Sequence, residues 1–399
     1  MLGLVFVAAT APAAPPANPD PRSLAVPAAD QARAKALVAK LGSPVYDDRE
    51  QAQTALAEMG RLAIPALTEG LTRIPSAEVR SRCQTLYPRA RADEIQARLE
   101  SFAADTAGKF EHDLPGWDAF QQLTAGCGPA ARAVFVEIAT SPLGRELVIA
   151  DLAPQDLGAR IAARRQELYT RRLNTPRRPG EVQAEAPVVD VLALLIAETR
   201  IPSRHIPRTN SSTVVYTMPS FVAALAAGND RARVYRTIAG KWVATRDEAM
   251  LMTQALGVGT TLELPETATL GARMMDTAGV TAISKASAAM AVAKVGNPRH
   301  LRALESVFKD ESVIRSVGVA VVGGVAQPAA KSTQLRDIAL AAAILTTGQE
   351  PKDYGFDEQA GLRSARFQYT RWSIPAADRA AAFEKWAEWR AANPDVGKD

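Results

Sequence analysis

Residues 47–87 read DDREQAQTALAEMGRLAIPALTEGLTRIPSAEVRSRCQTLY. The stretch predicts helix, turn, helix, turn, helix. Asp47 is suited to an N-cap, with Glu50 three residues on to close a capping box. Ala52, Ala55, Leu56 and Met59 fall at i, i+3, i+4 and i+7, which is one face of an α-helix. Gly60 follows, where a helix turns into a left-handed residue. A second helix carries Ala63, Ala66, Leu67 and Leu71 on one face. Pro65 sits in its first turn, where a missing N–H does little harm. Ser76 is placed to cap a third helix, and Glu78 suits its positive dipole end. Val79, Cys83, Leu86 and Tyr87 form the stripe of that helix.

The first and third helices also match each other. Arg49-x-x-Ala52-Gln53-Thr54 recurs as Arg80-x-x-Cys83-Gln84-Thr85. Small residues at 52 and 83 would let neighbouring helices approach closely. The succession Ile64-Pro65-Ala66-Leu67, then Ser76-Ala77-Glu78-Val79-Arg80, resembles the HEAT repeat, a helix pair of about 40–47 residues. A plain helical bundle is the alternative reading of the same pattern.

The whole chain has 399 residues, enough for two or three ordinary domains or for one solenoid. Hydrophobic residues make up 47% and aromatics only 6%, a balance that favours close helix packing over a sheet sandwich. Only 11 of the 47 basic side chains are lysines. The arginine excess is read as compositional, because 43 acidic residues are interspersed and no long basic block stands out. The two cysteines, Cys83 and Cys127, fit a buried thiol and a turn position, and a bridge between them is left open.

Leu2 to Ala9 is apolar and is followed by small residues, as in a secretory signal over 1–13. It is too short to span a bilayer. Residues 14–29 are rich in Pro and Ala and are expected to be a disordered leader. A first helical block is expected over 30–173, with one helix from Ser76 to Tyr87 and a separate one from about Ala92. A polar, Pro-rich linker is expected at 174–187, a second helical block over 188–392, and a tail at 393–399. Gly257-Val258-Gly259 and Gly323-Gly324 read as turns. A small hairpin is expected over 312–325. Phe383, Trp386 and Trp389 form a stripe suited to closing the end of a helix stack. The fold class is therefore all-α, with antiparallel helix pairs.

The most basic stretch holds Arg160, Arg164, Arg165, Arg171 and Arg172, with Arg177 and Arg178 in the linker. One reading is an anion or nucleic-acid patch. The other is a solvated helix face whose cations favour the helix C-terminus. Tyr169 is the sole aromatic among them, which argues against single-strand binding.

Four features together resemble exported bacterial HEAT-like proteins. They are Arg49-Glu50-x-Ala52, Leu114-Pro115-Gly116-Trp117, the segment from Thr347-Gly348-Gln349 to Asp353-Tyr354-Gly355-Phe356, and Lys385-Trp386-x-x-Trp389. The resemblance implies an α-solenoid and an extracytoplasmic location. It carries no reaction.

Catalytic signals are weak. His112, His205 and His300 stand alone, without the spacing of a metal site. Ser306 and Lys309 have the spacing of a serine–lysine pair but lack its companion motifs. The expectation is a non-enzymatic module with no metal and no cofactor, binding a protein or peptide and not crossing a membrane. Nucleic acid is the alternative ligand through the arginines. An enzyme with a site assembled from distant residues is the third reading.

Overall fold

A computed structural model describes residues 17–174, 185–209, 211–317, 320–322, 325–327, 331–356, 372 and 374–398. The fold is all-α, and the chain divides into two compact units, Met1–Asp118 and Ala119–Asp399. Among the described residues no helix is long and apolar enough to cross a membrane.

The first unit contains α1 (Ala28–Lys40), α2 (Tyr46–Met59), α3 (Ile64–Thr72) and α4 (Ala77–Ala104). Their apolar stripes meet in one core of Val38 and Leu41, Ala52 and Leu56, Ala66 and Leu67, and Val79 and Cys83. Ser76 caps α4, its hydroxyl accepting from the Val79 amide at 3.4 Å. Pro65 lies in the first turn of α3, and Gly60 leaves α2 with φ +51°. The matched arginines do the same thing twice. Arg49 Nη1 donates to the Pro44 carbonyl at 3.2 Å, and Arg80 Nη2 donates to the Pro75 carbonyl at 3.0 Å. Each arginine thus ties its helix back to a proline five residues earlier, and the matched small residues Ala52 and Cys83 are both buried. Arg82 joins α2 to α4 on the outer face, reaching Glu50 at 2.8 Å, Gln53 at 2.7 Å and Glu78 at 2.6 Å.

Three expectations for this unit need correction. The first turn of α2 begins at Tyr46, so Asp47 lies inside the helix and makes no cap; Val45 holds the N-cap position without a side-chain bond. Ser43 organises the turn instead, accepting from the Val45 amide and donating to Asp48. The third and fourth expected helices are one, since α4 runs straight through Pro88. An interior proline costs about 3 kcal/mol. Burial of Leu86 and Ala90 on one side, and of Leu99 and Phe102 on the other, offsets it. The leader is ordered from residue 17: Asp20 caps a 3-10 turn at Pro21–Leu24, and Arg61 Nη1 holds the Leu24 carbonyl at 2.7 Å. The expected signal at 1–13 lies outside the described residues.

The second unit contains, after α5 (Trp117–Leu123) at the division, α6 (Pro129–Thr140), α7 (Pro142–Gly144) running into a π-turn at Arg145–Ile149, and α8 (Pro154–Asn174). There follow α9 (Val188–Thr199), α10 (Ser211–Tyr216), α11 (Pro219–Ala226), α12 (Asp230–Ala244), α13 (Ala249–Thr261) and α14 (Glu266–Asp276). The last are α15 (Ala282–Val295), α16 (Leu301–Glu305), α17 (Leu335–Thr346) and α18 (Arg379–Ala392). Two helices, α9 and α17, are apolar nearly all round and are buried accordingly. Helix α12 packs on α9 and α14, α14 on α15, and α15 on α17. Gly257 and Gly259 do not form a turn; they lie within α13, where a Cβ on Gly259 would come within 2.1 Å of Thr267 Oγ1. Gly323 and Gly324 lie outside the described residues.

The expected hairpin is longer than 312–325. Strand β1 (Val313–Val317) pairs antiparallel with β4 (Lys331–Gln334), and β2 (Ala320–Val322) with β3 (Val325–Gln327). The aromatic stripe of α18 packs on Phe308, whose ring meets Phe383 edge-on at 5.3 Å and Trp386 at 6.1 Å. The expected division at 174–187 falls mostly on residues outside the described set. The helices flanking it, α8 and α9, pack together within the second unit.

Gly70 marks a close helix approach in the first unit. A Cβ there would lie 2.7 Å from Cys83 Sγ and 3.1 Å from Val38 Cγ1. Gly70→Ala is expected to destabilise the chain by about 1–3 kcal/mol in urea unfolding, the usual cost of overpacking. Adding Cys83→Ala, which removes the sulfur, should recover part of that loss.

Candidate functional site

Helix α8 carries the arginines singled out in the sequence. Its buried residues are Leu157, Gly158, Ile161, Arg165 and Leu168, so the apolar stripe passes directly through Arg165. That residue is 1% exposed and belongs to the core, not to a surface patch. Its Nη1 donates to Glu198 Oε1 at 2.8 Å, its Nε to Ser211 Oγ at 3.1 Å, and its Nη2 to the Pro207 carbonyl at 2.5 Å and Thr209 Oγ1 at 2.9 Å.

Glu198 is the hub of this cluster and is fully buried at the end of α9. Its Oε1 also accepts from the Tyr216 hydroxyl at 2.5 Å, and its Oε2 from Trp242 Nε1 at 2.7 Å. A second buried guanidinium, Arg246, approaches Oε2 at 3.7 Å. It donates to the Glu198 and Trp242 carbonyls and lies over the Trp242 ring, 5.4 Å from its centroid. Burial depresses the Arg246 pKa, with Glu198 working against that effect. Burial likewise penalises the Arg165 cation, but the Glu198 carboxylate beside it works the other way and the group is held above its ordinary range. The Tyr216 hydroxyl is pushed well above its usual pKa by burial and by the Glu198 charge, so it remains a proton donor.

The other arginines of the stretch face outward and meet carboxylates. Glu146 accepts from Arg160 Nη1 at 3.2 Å and from Arg164 Nε at 2.9 Å. Arg164 also reaches Glu167 at 2.8 Å, Arg171 lies 3.7 Å from Glu167, and Arg172 meets Glu185 at 3.2 Å. Arg177 and Arg178 lie outside the described residues. The structure therefore brings Arg160 and Arg164 together on Glu146 and sends Arg165 into the core. Glu146, Arg164, Glu167, Arg171 and Asp190 all line one cleft of about 190 Å³. Burial raises the Asp190 carboxyl above its usual range, with Arg171 opposing and Glu167 reinforcing the shift.

The remaining chemical candidates are dispersed. His112 Nε2 lies 3.1 Å from Asp105, which also accepts from the amides of Lys109 and Phe110. His205 Nε2 accepts from Arg204 Nε, and His300 closes a capping box with Asn297. Among the described residues no three His, Cys, Asp or Glu side chains gather in a metal-binding group. Ser306 donates to the Ala303 carbonyl on an exposed turn. Cys83 and Cys127 are both free and buried, and burial raises the Cys83 thiol.

The sequence reading missed Glu198, Tyr216, Trp242 and Arg246. A signal for the first existed: Glu198 ends a run from Val191 to Ala197 that is buried on every side, which requires a cation beside it. A signal for Arg165 existed too, since it stands four residues after Ile161 and three before Leu168.

Glu198→Ala would leave two buried guanidinium groups without their counter-charge. It is expected to destabilise the chain by about 3–5 kcal/mol in chemical denaturation. Asp190 acts in the opposite sense. A carboxyl whose folded pKa is raised binds its proton more tightly in the folded state, so its contribution is favourable at low pH and is lost as pH rises through the raised value. Asp190→Asn should therefore raise Tm at pH 7. The gain should vanish below about pH 4, the ordinary aspartate range.

No protein-family model, no curated protein and no solved structure matches this chain.

Proposed function

We infer that the chain is a HEAT-like helical-repeat protein that works outside the cytoplasm as a non-enzymatic interaction module for a protein or peptide. One observation carries the reading. The turn before α2 and the turn before α4 use the same device: a proline carbonyl, an arginine five residues on that grips it, and a small buried residue three further on. A recurring turn and helix of this kind is how a repeat is built. Stacked repeats offer extended faces for a partner chain. Next to the first of these turns stand Val45 and Tyr46, 53% and 61% exposed, with Arg49 over the Tyr46 ring. An exposed tyrosine braced by a part-buried arginine is a combination suited to anchoring a protein interface. The extracytoplasmic location rests on the apolar run Leu2 to Ala9 and the small residues after it.

The anion-binding alternative has less support. Arg160, Arg164, Arg165, Arg171 and Arg172 each lie beside a carboxylate, so much of their charge is already answered within the chain.

Affinity capture from the envelope fraction of the source cells, at low and high salt, tests the reading. A protein partner held at high salt and lost with Tyr46→Asp is the expected outcome. Capture of nucleic acid that is released at high salt would transfer the function to the arginines. N-terminal sequencing of the fractionated protein should show that the first 13 or so residues have been removed.

A further inference from the structure

Three consecutive apolar residues, Pro44, Val45 and Tyr46, are exposed in the turn that leads into α2. Single exposed apolar side chains are ordinary on a protein surface, whereas a contiguous run with a braced ring calls for a partner. The Arg49 guanidinium lies over the Tyr46 ring, 5.6 Å from its centroid. Arg49 is anchored in turn on the Ser43 and Pro44 carbonyls, at 2.8 and 3.2 Å. A ring braced in this way has less freedom to lose when a partner covers it.

The matching turn before α4 lies alongside. Arg49 Nε is 3.8 Å from Glu78, and Arg82 joins Glu78 to Glu50. That turn exposes Pro75 and Ala77. The N-terminal ends of α2 and α4 thus form one ledge with an apolar centre at Val45 and Tyr46.

Charge on the ledge is sorted by depth. The Arg49 and Arg82 side chains are 22% and 16% exposed, and each is engaged with carbonyls or carboxylates. The Glu50 and Glu78 side chains are 41% and 52% exposed, and Asp47 and Asp48 are exposed beside Tyr46. Arg80 is engaged with the Pro75 carbonyl. Lys40 and Arg73 end the two preceding helices, where the dipole answers a cation. Solvent beside Tyr46 therefore meets carboxylates around an apolar centre. The dipoles of α2 and α4 favour acids in a first turn, but they do not call for an uncovered Val45 and Tyr46.

We propose that this ledge receives a basic segment of a partner protein, in which apolar side chains stand between lysines or arginines. The apolar side chains pack on Val45 and Tyr46, and the cations meet Asp47, Asp48 and Glu78. An acidic segment would set like charges against each other across the contact, which lowers affinity and slows encounter. The proposal rests on the interaction-module reading and adds to it the chemistry of the partner.

Fluorescence anisotropy with the full chain tests it, using two labelled peptides of sequence GKLKLKG and GELELEG. Saturable binding of GKLKLKG is expected, with GELELEG weaker by about tenfold or more. Tyr46→Ser should weaken GKLKLKG about tenfold, the loss typical of an interface anchor. Asp47→Asn combined with Asp48→Asn keeps an acceptor for Ser43 and removes two charges. It should weaken GKLKLKG several-fold and flatten the dependence of binding on salt. Equal affinity for the two peptides would overturn the proposal. So would a double variant that binds GKLKLKG like the parent, or no saturable binding at millimolar concentration. The interaction-module reading fails on a different result. A partner captured from the envelope that depends on Tyr46 but not on Asp47 and Asp48 would leave that reading standing and sink this one.

Discussion

A single buried carboxylate constrains the second unit more than any other group. Glu198 is enclosed on all sides, and an ion in that position survives only if its lone pairs are met. Arg165, Tyr216 and Trp242 meet them directly, from α8, α10 and α12. Arg246 adds charge from the turn after α12 and holds the Glu198 carbonyl. Four separate segments are thereby committed to one point. The apolar helix α9 supplies most of the burial, but burial alone is tolerant of sliding. The charged hub is not, because a shift of one residue would leave a guanidinium or a carboxylate unpaired.

Arginine serves the same purpose elsewhere in both units. Arg200 grips the Val148 carbonyl at the end of the π-turn, and Arg273 holds the Ala244 and Arg246 carbonyls. Arg379 forks onto the Asp337 carboxylate and reaches the Ser332 carbonyl within β4. Each case uses a planar group with several donors to tie an irregular segment to a helix. Lysine has no such fork. The arginine excess, read from composition as a background bias, thus has a structural use in closing turns that carry few other bonds.

How far the sequence revealed this depended on whether a feature was local. The stripes of α2 and α3, the Ser76 cap and the Gly60 exit were legible, because each depends on residues within a turn or two. The repeat between Arg49 and Arg80 was visible as a pattern, although its purpose, gripping a proline carbonyl, was not. Pro88 misled because its penalty is local while the burial that offsets it is distant. Gly257 and Gly259 misled for a related reason: Gly259 is small to admit Thr267, not to bend the chain. Arg165 was grouped with its neighbours by charge when its spacing placed it among the leucines. Glu198 and its partners come from segments far apart in sequence, and no short pattern links them. Gly240 is unreadable in sequence for the same reason, since it has meaning only with Glu266 of α14 laid against it.

The Arg165 to Glu198 contact has one more consequence. It joins α8 to α9 from opposite sides of the interval between Asn174 and Glu185. Arg172 and Glu185 add a second tie across the same interval, and Glu185 in turn accepts from the Ser220 amide. The two helices are therefore matched to each other by chemistry and not merely by being consecutive. Side-chain ties of this kind, and not the connecting chain, are what two fragments divided between α8 and α9 would have to use to find each other.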